Sequence, residues 1–141
     1  MKDAAQFFKV LADESRLKML WLLFNRRELC VCDVMAVLEI TQSKASRHLA
    51  ALRNAGIAAD RKEGLWSYYS LRPPEDRLMK EHLKLLKNSL SRRPDAKRLL
   101  TKLNIWLKEK KGSETCLKRV AHSSAKIKAG SIKTSFAGET R

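Results

Sequence analysis

Long apolar runs, cysteine and acidic side chains are all scarce in this 141-residue chain. No stretch approaches the ~20 consecutive apolar residues that span a bilayer, so a transmembrane helix is excluded. The opening Met1-Lys2-Asp3 lacks the pattern of a signal peptide, and a cytoplasmic location is expected. Three cysteines, an odd number, do not make a disulfide scaffold; in a reducing compartment they read as thiols or ligands. The chain has no Gly-rich phosphate loop, no convincing pair of carboxylates and no nucleophile with a base assigned to it. An enzyme is therefore not expected, and no catalytic cofactor is called for.

Against 15 Asp and Glu stand 30 Lys and Arg, a net charge of +15. An excess of that size favours a polyanionic partner, and nucleic acid ahead of an anionic membrane surface. Hydrophobic residues make up 44% of the chain, enough for the core of one domain of ordinary size plus some extra. Residues 110–141 differ from the rest: 8 basic side chains face 2 acidic ones, among Ser, Thr, Gly, Ala and Lys. That tail holds too few large apolar groups for a core and is predicted to be flexible and disordered. Residues 1–90 are expected to form a DNA-binding and dimerisation domain, and 91–109 an additional C-terminal helix.

Apolar spacing in the first part is mainly helical. Asp3 to Leu11 reads as a first helix with Phe7, Phe8 and Leu11 available for burial. Asp13 is a good N-cap for a second, Glu14 to Phe24, with Leu17, Leu20, Leu23 and Phe24 recurring at three- and four-residue intervals. Cys32 to Leu38 makes a short third helix, and Thr41 caps a fourth, about Gln42 to Asn54, with Ala45, Leu49 and Leu52 as its buried stripe. Gly56 occupies the usual position of a left-handed C-terminal cap. The period then changes. Ile57 to Leu71 contains the turn Glu63-Gly64, and Trp66 to Leu71 is rich in strand formers, which predicts a β-hairpin. Pro73-Pro74 stops it, a fifth helix follows to about Leu90, and a sixth begins after Pro94. The predicted class is mainly α with a small β-hairpin wing, a winged helix-turn-helix with a flexible basic C-terminal tail.

The third and fourth helices are joined by Glu39-Ile40-Thr41, the short connection of a helix-turn-helix. In that motif the second helix enters the major groove with its N-terminal turns toward base edges. Here those turns present Gln42, Ser43, Lys44, Ser46, Arg47 and His48. Gln can pair bidentately with adenine and Arg or Lys with guanine, while hydroxyls and the helix N-terminus suit phosphate. A solvated polar helix face is the bland alternative for any one of them. Arg61 and Lys62 precede the hairpin turn, placed to reach a neighbouring minor groove or phosphate. Alternation puts Ser67, Tyr69 and Leu71 on one hairpin face and Trp66 and Tyr68 on the other, without deciding which is buried.

Cys30 and Cys32 lie just ahead of this reader. Two closely spaced thiolates suit a soft, thiophilic ion, and a helix N-terminus stabilises the negative charge such ligands carry. In a regular helix the two side chains would point roughly 200° apart. Holding one ion then requires the first turn to unwind or distort, which would link ion binding to a DNA-incompetent shape through a coupling of ~1–3 kcal/mol. Packing cysteines are the plain alternative.

Five segments in order, Asp13-Glu14-Ser15-Arg16-Leu17, Glu28-Leu29-Cys30-Val31-Cys32-Asp33-Val34, Gln42 to Leu49, Leu52 to Ile57 and Asp60 to Trp66, resemble the ArsR/SmtB winged-helix metal-sensing repressors, specifically the arsenic-responsive branch. The resemblance covers roughly Ala12 to Leu71. It implies a homodimer, built by the first helix and the helix after the wing, on double-stranded operator DNA with dyad symmetry. It also implies release of that DNA when As(III) or Sb(III) binds as inducer. Met35 departs from the pattern, because well-known members of that branch carry a third cysteine there. Three explanations are open: water or another ligand completes the site with Cys30 and Cys32, Cys116 swings in from the tail, or the ion is one other than arsenic. The family's other sensing site, a His/Asp zinc or cadmium pair on the helix after the wing, is not evident, since His82 stands without a second histidine. Two alternatives remain: a thiol redox-sensing repressor, and a winged-helix interaction module with no metal response.

Overall fold

The structure, a computed structural model, describes residues 1–111. Residues 112–141 of the predicted basic tail, Cys116 among them, lie outside the described residues; Lys110 and Lys111, expected in that tail, instead form the last turn of the sixth helix. Six helices and three strands follow in the order α1 (Lys2–Leu11), α2 (Glu14–Asn25), β1 (Leu29–Cys30), α3 (Val31–Leu38), α4 (Gln42–Asn54), β2 (Ala58–Glu63), β3 (Trp66–Leu71), α5 (Arg77–Leu90) and α6 (Pro94–Lys111). The winged helix-turn-helix class holds, and no described helix is long and apolar enough to cross a membrane.

Local chemistry sets the helix ends where the residue types ask for it. Asp13 accepts the backbone N–H of Arg16 at 3.1 Å and starts α2; Thr41 accepts that of Lys44 at 3.2 Å and starts α4. Gly56 ends α4 at φ 80°, with its N–H on the Arg53 carbonyl and that of Ile57 on the Leu52 carbonyl, both at 3.0 Å. Those two bonds are a Schellman closure, which needs a left-handed residue and so favours glycine. Ala45, Leu49 and Leu52 are all buried as expected. Phe8 is not: Phe7 fills the core at 1% exposure, whereas Phe8 is 44% exposed. Adjacent helix positions point about 100° apart, so only one of the pair can face inward.

One sheet element escaped the periodicity. The hairpin β2–β3 gains a third strand, β1, giving the antiparallel order β1-β3-β2 with Cys30 opposite Tyr68. β3 is thus the central strand. Tyr69 is buried, and Trp66 and Tyr68 pack partly buried against the core from the other face. A two-residue strand is too short for any alternation to register.

Helix α6 closes the back of the domain over α2 and α3. Leu103 is fully buried, and the Trp21 indole N–H donates to the Ala96 carbonyl at 2.8 Å inside the core. A Trp donor needs such a partner once the ring is dry.

Candidate thiol site and nucleic-acid interface

The chain leaves β1 at Cys30 and enters α3 at the next residue. Cys30 is therefore the N-cap of α3, with φ −75° and ψ 153°, extended rather than helical. This corrects the expectation of two side chains splayed apart on one regular turn. From its place outside the helix, Cys30 folds its sulfur back over the helix N-terminus, 2.9 Å from that of Cys32. The gap is well beyond a covalent S–S bond of ~2.05 Å, and both sulfurs can reach one centre at typical metal–sulfur distances of ~2.3 Å. The first turn of α3 does not have to unwind to bring them together.

The surroundings of the pair are dry. Cys30 and Cys32 are each 1% exposed. The Cys30 sulfur accepts the backbone N–H of Cys32 at 3.4 Å, the help expected of a helix N-terminus. Burial outweighs it. The Cys30 thiol is pushed above its ordinary value of 9.0, first by desolvation, with the Asp33 carboxylate adding and the Cys32 N–H and Lys110 subtracting. At neutral pH Cys30 is held as thiol, and an ion that binds its sulfur must displace that proton.

Asp33 completes a capping box. Its Oδ2 accepts the backbone N–H of Cys30 at 2.9 Å, while Oδ1 accepts the Trp106 indole N–H and the Lys110 ammonium, each at 2.8 Å. None of these three roles was read from the sequence. The C-x-x-D spacing has the form of a capping box with sulfur in place of a hydroxyl, and that was the available signal. Met35 is buried at 2% exposure, and no cluster of three His, Cys, Asp or Glu ligands occurs among the described residues. The two sulfurs suit a thiophilic ion and are poor ligands for a hard cation. His82 is a packing residue: Nδ1 bonds the Leu78 carbonyl at 2.8 Å, and the ring stands edge-on to Phe7 and Phe8.

On α4, Ser43, Lys44 and Arg47 are exposed, and Gln42, Ser46 and His48 are half-buried. Gln42 donates its amide N–H to the Ser46 hydroxyl at 3.0 Å, which fixes both side chains. The Arg16 guanidinium lies 3.3 Å from His48 Nδ1. Arginine only donates, so Nδ1 accepts and the proton sits on Nε2. Partial burial lowers the His48 pKa below its ordinary 6.5, with Arg16, Arg47 and Lys44 adding to the effect. The imidazole is a neutral N–H donor rather than a cation.

The wing treats its two basic residues differently. Arg61 makes a bidentate pair with Glu28 at 2.7 and 2.8 Å, bonds Glu63 at 3.2 Å and lies 4.6 Å over the Tyr68 ring. Lys62 is exposed beside it. Arg61 therefore braces the wing against the segment leading into β1, a role that the bare charge could not reveal.

Three comparisons bear on this arrangement. The family described as "Bacterial regulatory protein, arsR family" matches residues 13–60. The chain is 53% identical over 68 residues to the arsenical resistance operon repressor of Escherichia coli (strain K12), covering 48% of this chain and 58% of that protein. It is 43% identical over 75 residues to the arsenical resistance operon repressor of Bacillus subtilis (strain 168), covering 53% of this chain and 71% of that one. Among solved structures, HlyU from Vibrio cholerae N16961 superposes with a TM-score of 0.53 at 34% identity, over 62% of this chain and 90% of that chain. The match thus spans a little over half the length of the E. coli relative, and helix α6 lies outside the family segment.

Proposed function

This chain belongs to the ArsR family of bacterial regulatory proteins, and from that premise we propose that it is a DNA-binding transcriptional repressor whose operator is released when trivalent arsenic or antimony binds Cys30 and Cys32. The observation that carries the reading is the convergence of the two sulfurs, 2.9 Å apart, at the N-terminus of α3. The matched relatives from E. coli and B. subtilis, both arsenical resistance operon repressors, support the choice of ion. A bound ion supplies a thiophilic Lewis acid that favours the deprotonated sulfurs.

The chain's own residues do the rest. Lys44 and Arg47 stand one turn apart on the exposed face of α4, with Ser43 beside them at the helix N-terminus, where phosphate or a base edge is accepted. His48 offers its Nε2–H, and Gln42 with Ser46 forms a fixed polar pair. Lys62 extends the basic surface onto the wing, and Arg61 sets the wing's position. A homodimer on a dyad operator is supported by the apolar surface left on α1 and α5, where Phe8 is 44% and Leu85 62% exposed.

Coupling between thiols and DNA has two short routes. The thiol pair sits at the start of α3, the first helix of the helix-turn-helix. Cys30 is also paired across the sheet with Tyr68, which in turn pairs with Arg61 of the wing. Strain imposed at Cys30 by a bound ion therefore has a direct route to both DNA-facing elements without unwinding a helix. The close sulfurs also favour a second reading, oxidation of the thiols in place of ion binding.

Fluorescence anisotropy on a labelled operator fragment tests this, with arsenite and peroxide titrated separately against wild type, Cys30→Ser and Cys32→Ser. Release of wild type by arsenite, and its loss in both variants, is the expected result. If the serine variants release DNA at the wild-type arsenite concentration, the thiol site is wrong. Release by peroxide alone selects the redox reading.

A further inference from the structure

Asp33 is the sole charged side chain buried among the described residues, at 2% exposure. A carboxylate so placed has to be paired and fully hydrogen-bonded to persist, and it is. Both donors on its Oδ1, Trp106 and Lys110, come from α6, one helical turn apart and so on one face of that helix. Its Oδ2 takes the backbone N–H of Cys30. An unbroken chain of bonds therefore runs from the last turns of α6, through one carboxylate, to the backbone that carries a sulfur. The convergence of the two sulfurs depends on Cys30 keeping its extended N-cap conformation, and Asp33 is what holds that N–H in place.

We propose that α6 is a clamp on the thiol site: Trp106 and Lys110 fix Asp33, and Asp33 acts as the positioning residue that holds Cys30 where its sulfur meets that of Cys32. This rests on the reading of the pair as an ion site. It goes beyond that reading by assigning ion affinity to a helix that lies outside the family segment at residues 13–60. Because linkage is reciprocal, an ion on the sulfurs tightens the docking of α6 by the same factor that docking tightens the ion.

The experiment uses the full chain as wild type, Lys110→Met, Lys110→Arg, Trp106→Phe and Cys30→Ser. Three quantities are read: arsenite affinity from sulfur-to-arsenic charge-transfer absorbance, the rate at which the ion-free thiols react with an aryl disulfide, and operator affinity without arsenite. Partners that orient a ligand typically control affinity by about 10–100-fold. Lys110→Met and Trp106→Phe are expected to weaken arsenite binding within that range and to speed thiol reaction. Operator affinity without arsenite should stay within about twofold, and Lys110→Arg should recover arsenite affinity through its retained charge. Wild-type arsenite affinity in Lys110→Met and Trp106→Phe overturns the clamp. A parallel fall of operator affinity in both variants also overturns it, because that marks general structural support. If Cys30→Ser binds arsenite like wild type, the ion-site reading itself fails, and the clamp with it. If Cys30→Ser loses arsenite while the α6 variants keep it, only the clamp fails.

Discussion

Replacing Asp33 by Asn keeps the shape of the buried side chain and removes its charge, so the energetic role of the carboxylate can be isolated. The amide has one acceptor oxygen where the carboxylate has two, yet three donors converge on it, from Cys30, Trp106 and Lys110. At least one donor must then face the amide NH2. Removing one member of a fully buried ion pair costs about 3–5 kcal/mol. Lys110 is 27% exposed on its side chain against 3% for Asp33, so water recovers part of the loss on the lysine side. A destabilisation of about 2–3 kcal/mol is expected, or roughly 10 °C in Tm for a domain of this size. Urea unfolding followed by circular dichroism measures it, at one fixed protein concentration because a dimer's stability depends on concentration. Lys110→Met alone should cost about 1–2 kcal/mol. The double variant should fall short of the sum by about 1 kcal/mol or more, the coupling expected of groups in contact. An Asp33→Asn protein within about 0.5 kcal/mol of wild type, or strict additivity with Lys110→Met, would refute the reasoning.

Gly56→Ala meets no atom within 4 Å of the new Cβ, so only the φ of +80° is penalised; a loss of about 1 kcal/mol is expected in the same unfolding assay. The lowered His48 pKa means the unfolded chain binds a proton more readily than the native one. Stability from this group is present above pH 6.5 and lost as pH falls through the depressed native value, and His48→Gln should flatten that limb of the stability curve. Lys44→Ala and Lys62→Ala should each reduce the salt slope of operator binding by about 0.9, as for the loss of one phosphate contact. Arg61→Ala should leave that slope unchanged, since its guanidinium is already held by Glu28 and Glu63.

Features that a single residue or a regular period controls were legible before any fold was seen. Asp13 and Thr41 cap helices because their side-chain oxygens reach backbone N–H groups three residues on, a local requirement. Ala45, Leu49 and Leu52 face inward because the helical repeat puts them on one stripe. The exposed Lys44 and Arg47 follow from the same repeat. Phe8 shows the limit: two adjacent aromatics compete for one inward direction, and composition does not choose between them.

What lay beyond the sequence were contacts between distant segments. Strand β1 is two residues long and exists because β3 is there to pair with it, which is why the helical reading of Cys30 gave the wrong sulfur geometry. Trp106 and Lys110 meet Asp33 across more than seventy positions of chain, and no local pattern encodes that meeting. Arg61 read as a DNA contact because its charge was visible and its partner Glu28 was 33 residues away. The sequence by itself determined the winged-helix class, the helix-turn-helix pair and the polar face of α4, since these rest on caps, turns and periods spanning a few residues. Tertiary structure alone decided that the two sulfurs converge, that burial keeps Cys30 protonated, and that α6 reaches the thiol site, because burial and long-range hydrogen bonds exist only once the chain has closed on itself.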